Sequence, residues 1–409
     1  MKKILVPIFY RANYGRLRPV LKAITNHPEL ELQTITGVQA ARGYFFANLQ
    51  HSEPRDWLKA IPWYLKARVS RALDGDFVIR KMKADGFSVG ANVPFFLDGG
   101  LPATMAKSVG LGIISLTDTL RKLKPDLVFV DGDRFEMMAI TIAASFLNIP
   151  IAHNEAGDVS GTIDESIRHA ITKFAQIHFT NTDESRRRVL QLGEDPRFVF
   201  KVGSPSIDVL KEIDLSPEIE DGSPEYINLK KPYLLVTTHP VTTESREENL
   251  NLVETILKVI EDLKMPALVI GSNPDARSRG VGRTLAEWYE NAKPAEVYFS
   301  KQLHPDRFYR ALANAACALG NSSSFIREGA YLGTPAVLVG SRQQNRERGE
   351  NVTEAPADFE AIKKSVLSQL AHGRYPSNSR FGQGDAGRKI TEILAEVNPP
   401  LQKSFHDIK

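Results

Sequence analysis

The sequence predicts an α/β protein of two doubly wound domains in tandem, each a parallel sheet with helices on both faces. Three observations carry this. Short apolar runs alternate with amphipathic stretches from residue 3 to about 205. The same alternation restarts beyond that point. Between the two, glycine and proline cluster in GSPSIDVL and DGSPEY, which puts a boundary at about 203–224. The expected division is 1–204, 205–384 and a tail over 385–409.

In the first unit KILVPIF (3–9) reads as a strand buried on both faces, and RLRPVLKAITNHP as a helix ended by His27-Pro28. LELQTITG (30–37) is a second strand. KSVGLGIISLTDTLRKL (107–123) has helical spacing, and Pro125-Asp126 introduces the strand LVFVDGD. FEMMAITIAASFLN reads as a helix, IPIAHNE as a strand, SIRHAITKFA as a helix and QIHFTNT as a strand. In the second unit KPYLLVTTHP is a strand ending in a turn, and EENLNLVETILKVIEDL a long amphipathic helix. PALVIGSNPD and EVYFSKQL are strands, HPDRFYRALANAA a helix, and CALGNSSS a strand running into a turn. GAYLGTPAVLVGS and the final helix complete the unit. Residues 46–80 interrupt the first domain. Leu58, Ile61, Leu65, Val69 and Leu73 recur there at near-helical spacing among Lys59, Lys66, Arg68 and Arg71, as on an added surface helix or an oligomer contact.

Composition narrows the function. The 409 residues are 42% hydrophobic and 25% charged, an ordinary globular balance that excludes a fibre or a disordered chain. A formal charge of +3 is too slight to imply nucleic acid or an anionic membrane, but leaves room for a local basic pocket. The lone Cys317, in the apolar run ALANAACALG, excludes an intramolecular disulfide and reads as a small core residue. No Cys/His cluster has zinc-ligand spacing. No stretch is apolar enough to span a bilayer, and the N-terminus lacks the features of a signal peptide. The expected location is cytoplasmic.

Strand C-termini of such sheets face ligands, so the residues there are the candidates for chemistry. HNEAGDVSGTIDESIRHAITKF is the densest segment, with His153, Glu155, Asp158, Asp164, Glu165 and His169. Clustered carboxylates raise one another's pKa and suit acid/base work. Helix capping by Thr162, Asp164 and Glu165 accounts for part of the cluster, but not for Glu155 at the strand end. DGDRFE sets Asp133 and Arg134 at another strand end, and THPVTTE sets His239 at the matching place in the second domain. GNSSSFIREG puts Ser322 and Ser323 in a strand-to-helix turn, where backbone N–H groups and hydroxyls suit phosphate. Arg327 and Glu328 follow, the acid placed to hold ribose hydroxyls. SRQQNRERGEN supplies Arg342, Arg346, Arg348 and Asn351, and RANYGRLRP supplies Arg11 and Arg16. Arginine's fork of donors matches phosphate. Together these point to a nucleoside diphosphate held by the second domain and carboxylates of the first acting on what it carries, by proton transfer or glycosidic cleavage.

The stretches RANYGRLRPV, GDRFE, GDVSGTIDESIRHAITKFA, VGSPSID, THPVTT, GNSSSFIREGAYLGTP and SRQQNRERGEN resemble the UDP-N-acetylglucosamine 2-epimerase family, and specifically its hydrolysing branch. The resemblance covers nearly the whole chain except about 46–80. It implies two Rossmann-like domains facing a cleft, as in GT-B glycosyltransferases, with C-terminal helices crossing back to the first. It implies no metal, no nicotinamide or other cofactor, and a homodimer or homotetramer. The implied substrate is a nucleotide sugar. Elimination of UDP and hydration of a glycal-like intermediate would give N-acetylmannosamine, a precursor of sialic or other nonulosonic acids. The family's acid/base carboxylates match Asp133, Glu155 and Asp164. His239 would assist departure of the diphosphate and Arg134 would support the site. Arg11, Asn273, Ser322, Ser323, Arg327, Glu328 and Arg346 would bind nucleotide, and His169 also matches the motif. Two positions depart from the pattern: Asn13 stands where the family has aspartate, and Ala156 where the hydrolysing branch often has a second glycine. The latter is shared with the non-hydrolysing branch. The 46–80 insertion could alter the substrate, with a UDP- or GDP-linked 2,4-diacetamido-2,4,6-trideoxy hexose as the leading variant.

Overall fold

The computed structural model describes residues 1–37, 78–97, 102–217, 227–271, 278–292, 296–300 and 303–407. The insertion expected over 46–80 lies outside these, apart from the start of a helical segment at 78–84, as does Asn273.

Seven strands form the first sheet: β1 (Lys2–Pro7), β2 (Leu30–Thr36), β3 (Ala91–Asn92), β4 (Leu127–Asp131), β5 (Ile151–Asn154), β6 (Ile177–Thr180) and β7 (Val199–Lys201), in the order β3-β2-β1-β4-β5-β6-β7. The second sheet contains β8 (Leu234–Thr237), β9 (Ala267–Ile270), β10 (Val297–Ser300), β11 (Cys317–Gly320), β12 (Ala336–Val339) and β13 (Val352–Ala355), in the order β10-β9-β8-β11-β12-β13. Every pairing is parallel. Both are doubly wound orders that reverse direction beside the first strand of the unit. The switch points, between β1 and β4 and between β8 and β11, open a crevice at the strand C-termini.

The helices of the first unit are α1 (Arg11–Asn26), α2 (Pro102–Leu123), α3 (Phe135–Phe146), α4 (Ile163–Phe174), α5 (Asp183–Gln191) and α6 (Pro205–Glu212). Those that follow are α7 (Arg246–Leu263), α8 (Ser278–Ala292), α9 (Pro305–Asn314), α10 (Arg327–Leu332), α11 (Phe359–His372) and α12 (Ala386–Glu396). The strands are buried on both faces, which is why they read as unbroken apolar runs. Ile4 and Val6 join α1 in one layer, while Leu5 joins α2 and α3 in the other. Leu234 and Val236 likewise face α7, and Tyr233 and Leu235 the opposite layer. Cys317 is fully buried in the layer with Leu234 and Val236, and burial pushes its thiol up to about 12, so it is inert core.

Two prolines sit within helices of this unit. Pro19 sits inside α1, within the stretch RLRPVLKAITNHP expected as one helix. The GSPSID stretch, expected as a boundary break, opens α6, because Pro205 occupies its first turn. Asp208 of α6 accepts the Ala386 and Gly387 N–H groups at 3.1 and 2.7 Å. This holds α12 against α1, and Ile390 and Leu394 enter the same core as Ile4 and Leu17.

Candidate active site

The site lies at the C-terminal ends of β4 and β5, facing the loops that follow β11 and β12. Asp131 closes β4 and is fully buried. It accepts hydrogen bonds from Asn13 Nδ2 at 3.0 Å, Asn154 Nδ2 at 2.8 Å and Arg16 Nη2 at 2.7 Å. A second carboxylate at position 13 would face Asp131 without a proton between them. Asn13 is therefore a donor matched to Asp131 through its Nδ2, while its buried Oδ1 has no partner.

Gly132, at φ +79°, turns the chain so that Asp133 enters the cleft. After β5, Glu155 takes φ +63° and Gly157 φ +76°. A glutamate in the left-handed region costs on the order of 1–2 kcal/mol, a strain found where a side chain must be aimed. A Cβ on Gly157 would stand 2.0 Å from the Ser185 carbonyl oxygen, so glycine is required there. Ala156 is buried with φ outside that region, its methyl packed with Val189 and Val199, and needs no glycine. The Thr162 hydroxyl caps α4 by accepting the Asp164 N–H, and Glu165 accepts the Ser160 N–H at 2.8 Å. The cap is thus the Thr162 hydroxyl, Glu165 ties down the loop before it, and Asp164 lines the cleft.

One cavity gathers Asp133, Glu155 and Asp164 with Arg16, Arg168, Ser323, Arg327, Arg342 and Arg346. Burial pushes the Glu155 carboxyl up. The guanidiniums of Arg16, 3.2 Å away, and of Arg327, with Arg346 behind them, outweigh it and hold its pKa down to about 2. Asp158 accepts from Arg346 at 2.9 Å and Asn181 at 3.0 Å. Arg168, which the sequence reading passed over, is fully buried. It donates to the Asp158 carbonyl at 2.9 Å and to the Asp133 carboxylate. Burial and the like charges of Arg346, Arg327 and Arg16 press its pKa well below the ordinary value. Its only signal was its place one helical turn after Asp164. Five arginines against three carboxylates leave the lining net positive, a match for a doubly negative diphosphate.

The cavity holds only about 70 Å³, against the ~300 Å³ or more that a drug-sized ligand occupies. The two units are latched over it. Arg327 pairs with Glu155, Arg346 with Asp158 and Thr182 with Glu347, and the Gly161 N–H donates to the Arg342 carbonyl at 3.0 Å.

The other expected residues are placed as follows. His239 is buried after β8, its backbone N–H and carbonyl clamped by the Asn321 amide at 2.7 and 2.8 Å. Asn321 is a second residue the sequence reading undervalued. Ser322 accepts the Ser324 N–H, and Glu328 is buried with Oε2 unpartnered and Oε1 3.8 Å from Arg327. The GNSSS turn leads into a 3₁₀ turn and a six-residue helix, so the expected helix-dipole contribution is small and the arginines dominate. Arg11 opens α1 one turn before the lining residue Arg16. Arg134 pairs with Glu136 at 3.0 Å and lies over the Tyr10 ring at 4.7 Å, so it is not part of the lining. His169 is half-buried behind Arg168, its pKa lowered by burial and then by that charge. Arg348 pairs with Glu354 at the surface, and Asn351 bonds the Phe325 and Thr334 carbonyls, so both are structural.

Residues 75–395 match the family described as UDP-N-acetylglucosamine 2-epimerase. The chain belongs to that family. It is 28% identical over 97% of its length to a UDP-N,N'-diacetylbacillosamine 2-epimerase (hydrolyzing) of Legionella pneumophila, of which it covers 96%. It is 28% identical, over the full length of both chains, to a UDP-N-acetylglucosamine 2-epimerase of Neisseria meningitidis. Its fold matches that of the Methanocaldococcus jannaschii UDP-GlcNAc 2-epimerase in complex with UDP-GlcNAc and UDP. The TM-score is 0.75 at 18% identity, covering 96% of this chain and 99% of the other. The two facing parallel sheets are thus the GT-B-like arrangement of this family's structures. No helix among the described residues is long and apolar enough to cross a membrane.

Proposed function

We propose that the chain is a hydrolysing UDP-N-acetylglucosamine 2-epimerase, releasing N-acetylmannosamine and UDP. The observation that supports this best is the single cavity in which Asp133, Glu155 and Asp164 of the first unit meet Arg327, Arg342 and Arg346 of the second. A base takes the proton from the sugar's second carbon as the anomeric C–O bond breaks and UDP leaves with the electron pair. Water then adds at the anomeric carbon, and the second carbon receives a proton on the opposite face. Glu155 is ionised and so can accept a proton, its basicity rising when its pairing with Arg327 loosens, with Asp133 near the second carbon and Asp164 sharing the proton traffic. The arginines and His239 stabilise the departing diphosphate. The unpartnered Glu328 oxygen suits a ribose hydroxyl, with Ser322 and Ser323 beside it. On this reading residues 1–204 carry the acid/base groups, 205–384 hold the nucleotide, and 385–409 return to the first unit.

A second reading, hydrolysis of a UDP- or GDP-linked 2,4-diacetamido-2,4,6-trideoxy hexose, is supported by the name of the Legionella relative, a UDP-N,N'-diacetylbacillosamine 2-epimerase (hydrolyzing) as similar to this chain as the Neisseria one. Proton NMR in heavy water separates the two. With UDP-N-acetylglucosamine, free N-acetylmannosamine deuterated at its second carbon is expected alongside UDP. An equilibrating pair of intact nucleotide sugars would establish the non-hydrolysing reaction. No change there, with turnover of the diacetamido substrate, would establish the second reading.

A further inference from the structure

His153, on β5, has no role in the chemistry above and is fully buried. Its Nε2 lies 2.9 Å from the Gly132 carbonyl oxygen and its Nδ1 3.0 Å from the Thr172 hydroxyl. These two partners belong to the two pieces of chain that carry the Asp133–Arg168 pair. Gly132 is the left-handed turn immediately before Asp133, and Thr172 stands one helical turn after Arg168 on α4.

The hydrogen atoms can be assigned from the partners. A carbonyl oxygen only accepts, so Nε2 carries the proton. Burial drives the imidazole pKa down to about 3, so the ring is neutral and Nδ1 is an acceptor. The Thr172 hydroxyl then has one proton for two acceptors, Nδ1 and the Arg168 carbonyl, each 3.0 Å away, so it holds the ring against the Arg168 turn of α4. The result is a bridge from α4 to the β4 turn, with Nε2–H donating to the Gly132 carbonyl at one end and Nδ1 seated against the Thr172 hydroxyl at the other. A strand residue buried for packing alone would be apolar, since both polar ends of this ring have to be satisfied in the core.

We propose that His153 is a positioning residue, a rigid strut that sets the distance between the Asp133 turn and the Arg168 turn of α4. Resting on the reaction proposed above, it acts through those two side chains and touches no substrate. Catalytic geometry tolerates little error, and a displacement of about 1 Å costs about 100-fold.

The test compares His153→Phe, His153→Asn and His153→Gln in the full chain. Glutamine places an amide donor where Nε2 stands, asparagine reaches only the Nδ1 position, and phenylalanine keeps the volume without hydrogen bonds. For His153→Phe and His153→Asn, kcat is expected to fall about 100-fold, with KM and the UDP dissociation constant within about threefold. His153→Gln is expected to recover to within about tenfold of wild type. A carbon-13 titration of the Asp133 carboxyl reads the same geometry without turnover. Its pKa should rise in the phenylalanine variant, as Arg168 drifts from it, and return in the glutamine variant. Equal kcat in the glutamine and phenylalanine variants, or an Asp133 titration identical to wild type in all three, would overturn the proposal. If wild type turns over no nucleotide sugar, the reaction assigned above fails, and the Asp133 titration still decides the strut.

Discussion

Replacing Arg327 with methionine isolates what keeps Glu155 ionised. The carboxylate is buried and would titrate high on its own, yet two guanidiniums hold it at about 2. Taking about 4 Å between charge centres and an effective dielectric of about 20, one guanidinium contributes about 4 kcal/mol, or about 3 pKa units. Water entering the space left by Arg327 recovers up to half of that. Glu155 in the variant should then titrate at about 3.5–5. In the wild type the acid limb of kcat/KM due to this group lies below the workable range. In Arg327→Met it should appear between about pH 3.5 and 5, with activity falling as pH drops because the base becomes protonated. The assay is UDP release from UDP-N-acetylglucosamine at sub-saturating substrate, with Arg327→Lys restoring the charge and much of the flat profile. An Arg327→Met protein that is folded and active, with a profile superimposable on wild type, would refute the idea that this arginine sets the state of Glu155.

Three further perturbations probe other parts of the molecule. Asp164→Asn should abolish product formation while UDP still binds by calorimetry, and undiminished turnover would remove Asp164 from the chemistry. Gly161→Ala would bring a Cβ to 2.0 Å from the Ser341 carbonyl oxygen of the other unit. It should keep the cleft from closing, lowering kcat/KM at least tenfold and enlarging the radius of gyration by small-angle scattering without lowering Tm; unchanged scattering and activity would contradict the latch. Burial raises the Glu194 carboxyl, but His178, Lys173 and Lys403 of the C-terminal segment bring it down to about 2. Its folded pKa is below the unfolded value, so its contribution is present above about pH 4.5 and is lost as pH falls toward 2. The shift corresponds to about 3 kcal/mol before screening and about 1–2 after it, since Lys173 is partly exposed. Glu194→Gln should flatten the dependence of Tm on pH between about 4.5 and 2.5, and an unaltered slope would count against that assignment.

The residues of the cleft explain each other only as a set. Arg16 bridges Asp131 and Glu155, and Arg346 reaches Asp158 from the other unit. Removing any one buried charge leaves its partner uncompensated, so single substitutions here will read partly as folding defects. Conservative pairs such as Arg327→Met and Arg327→Lys separate the two effects.

Much of the architecture was written in the local chain. Runs such as KILVPIF and LVFVDGD are apolar throughout because a parallel strand is covered on both faces, and that pattern needs no tertiary knowledge to be read. The acids at the strand ends, Asp133 and Glu155, followed from the same reading, since strand C-termini face the crevice. What the chain could not reveal locally is which charge meets which. Arg168 looked like any helical arginine, and Arg134 looked better placed beside Asp133. Side-chain direction on a helix sends Arg168 into the cleft and leaves Arg134 against Glu136 and Tyr10. The same holds for Asn13, whose acceptor, Asp131, lies 118 residues away. Periodicity is a property of neighbours in sequence, and charge pairing is a property of neighbours in space. The first determined the fold of this protein; only the closing of two sheets on one cleft decided which side chains meet in its site.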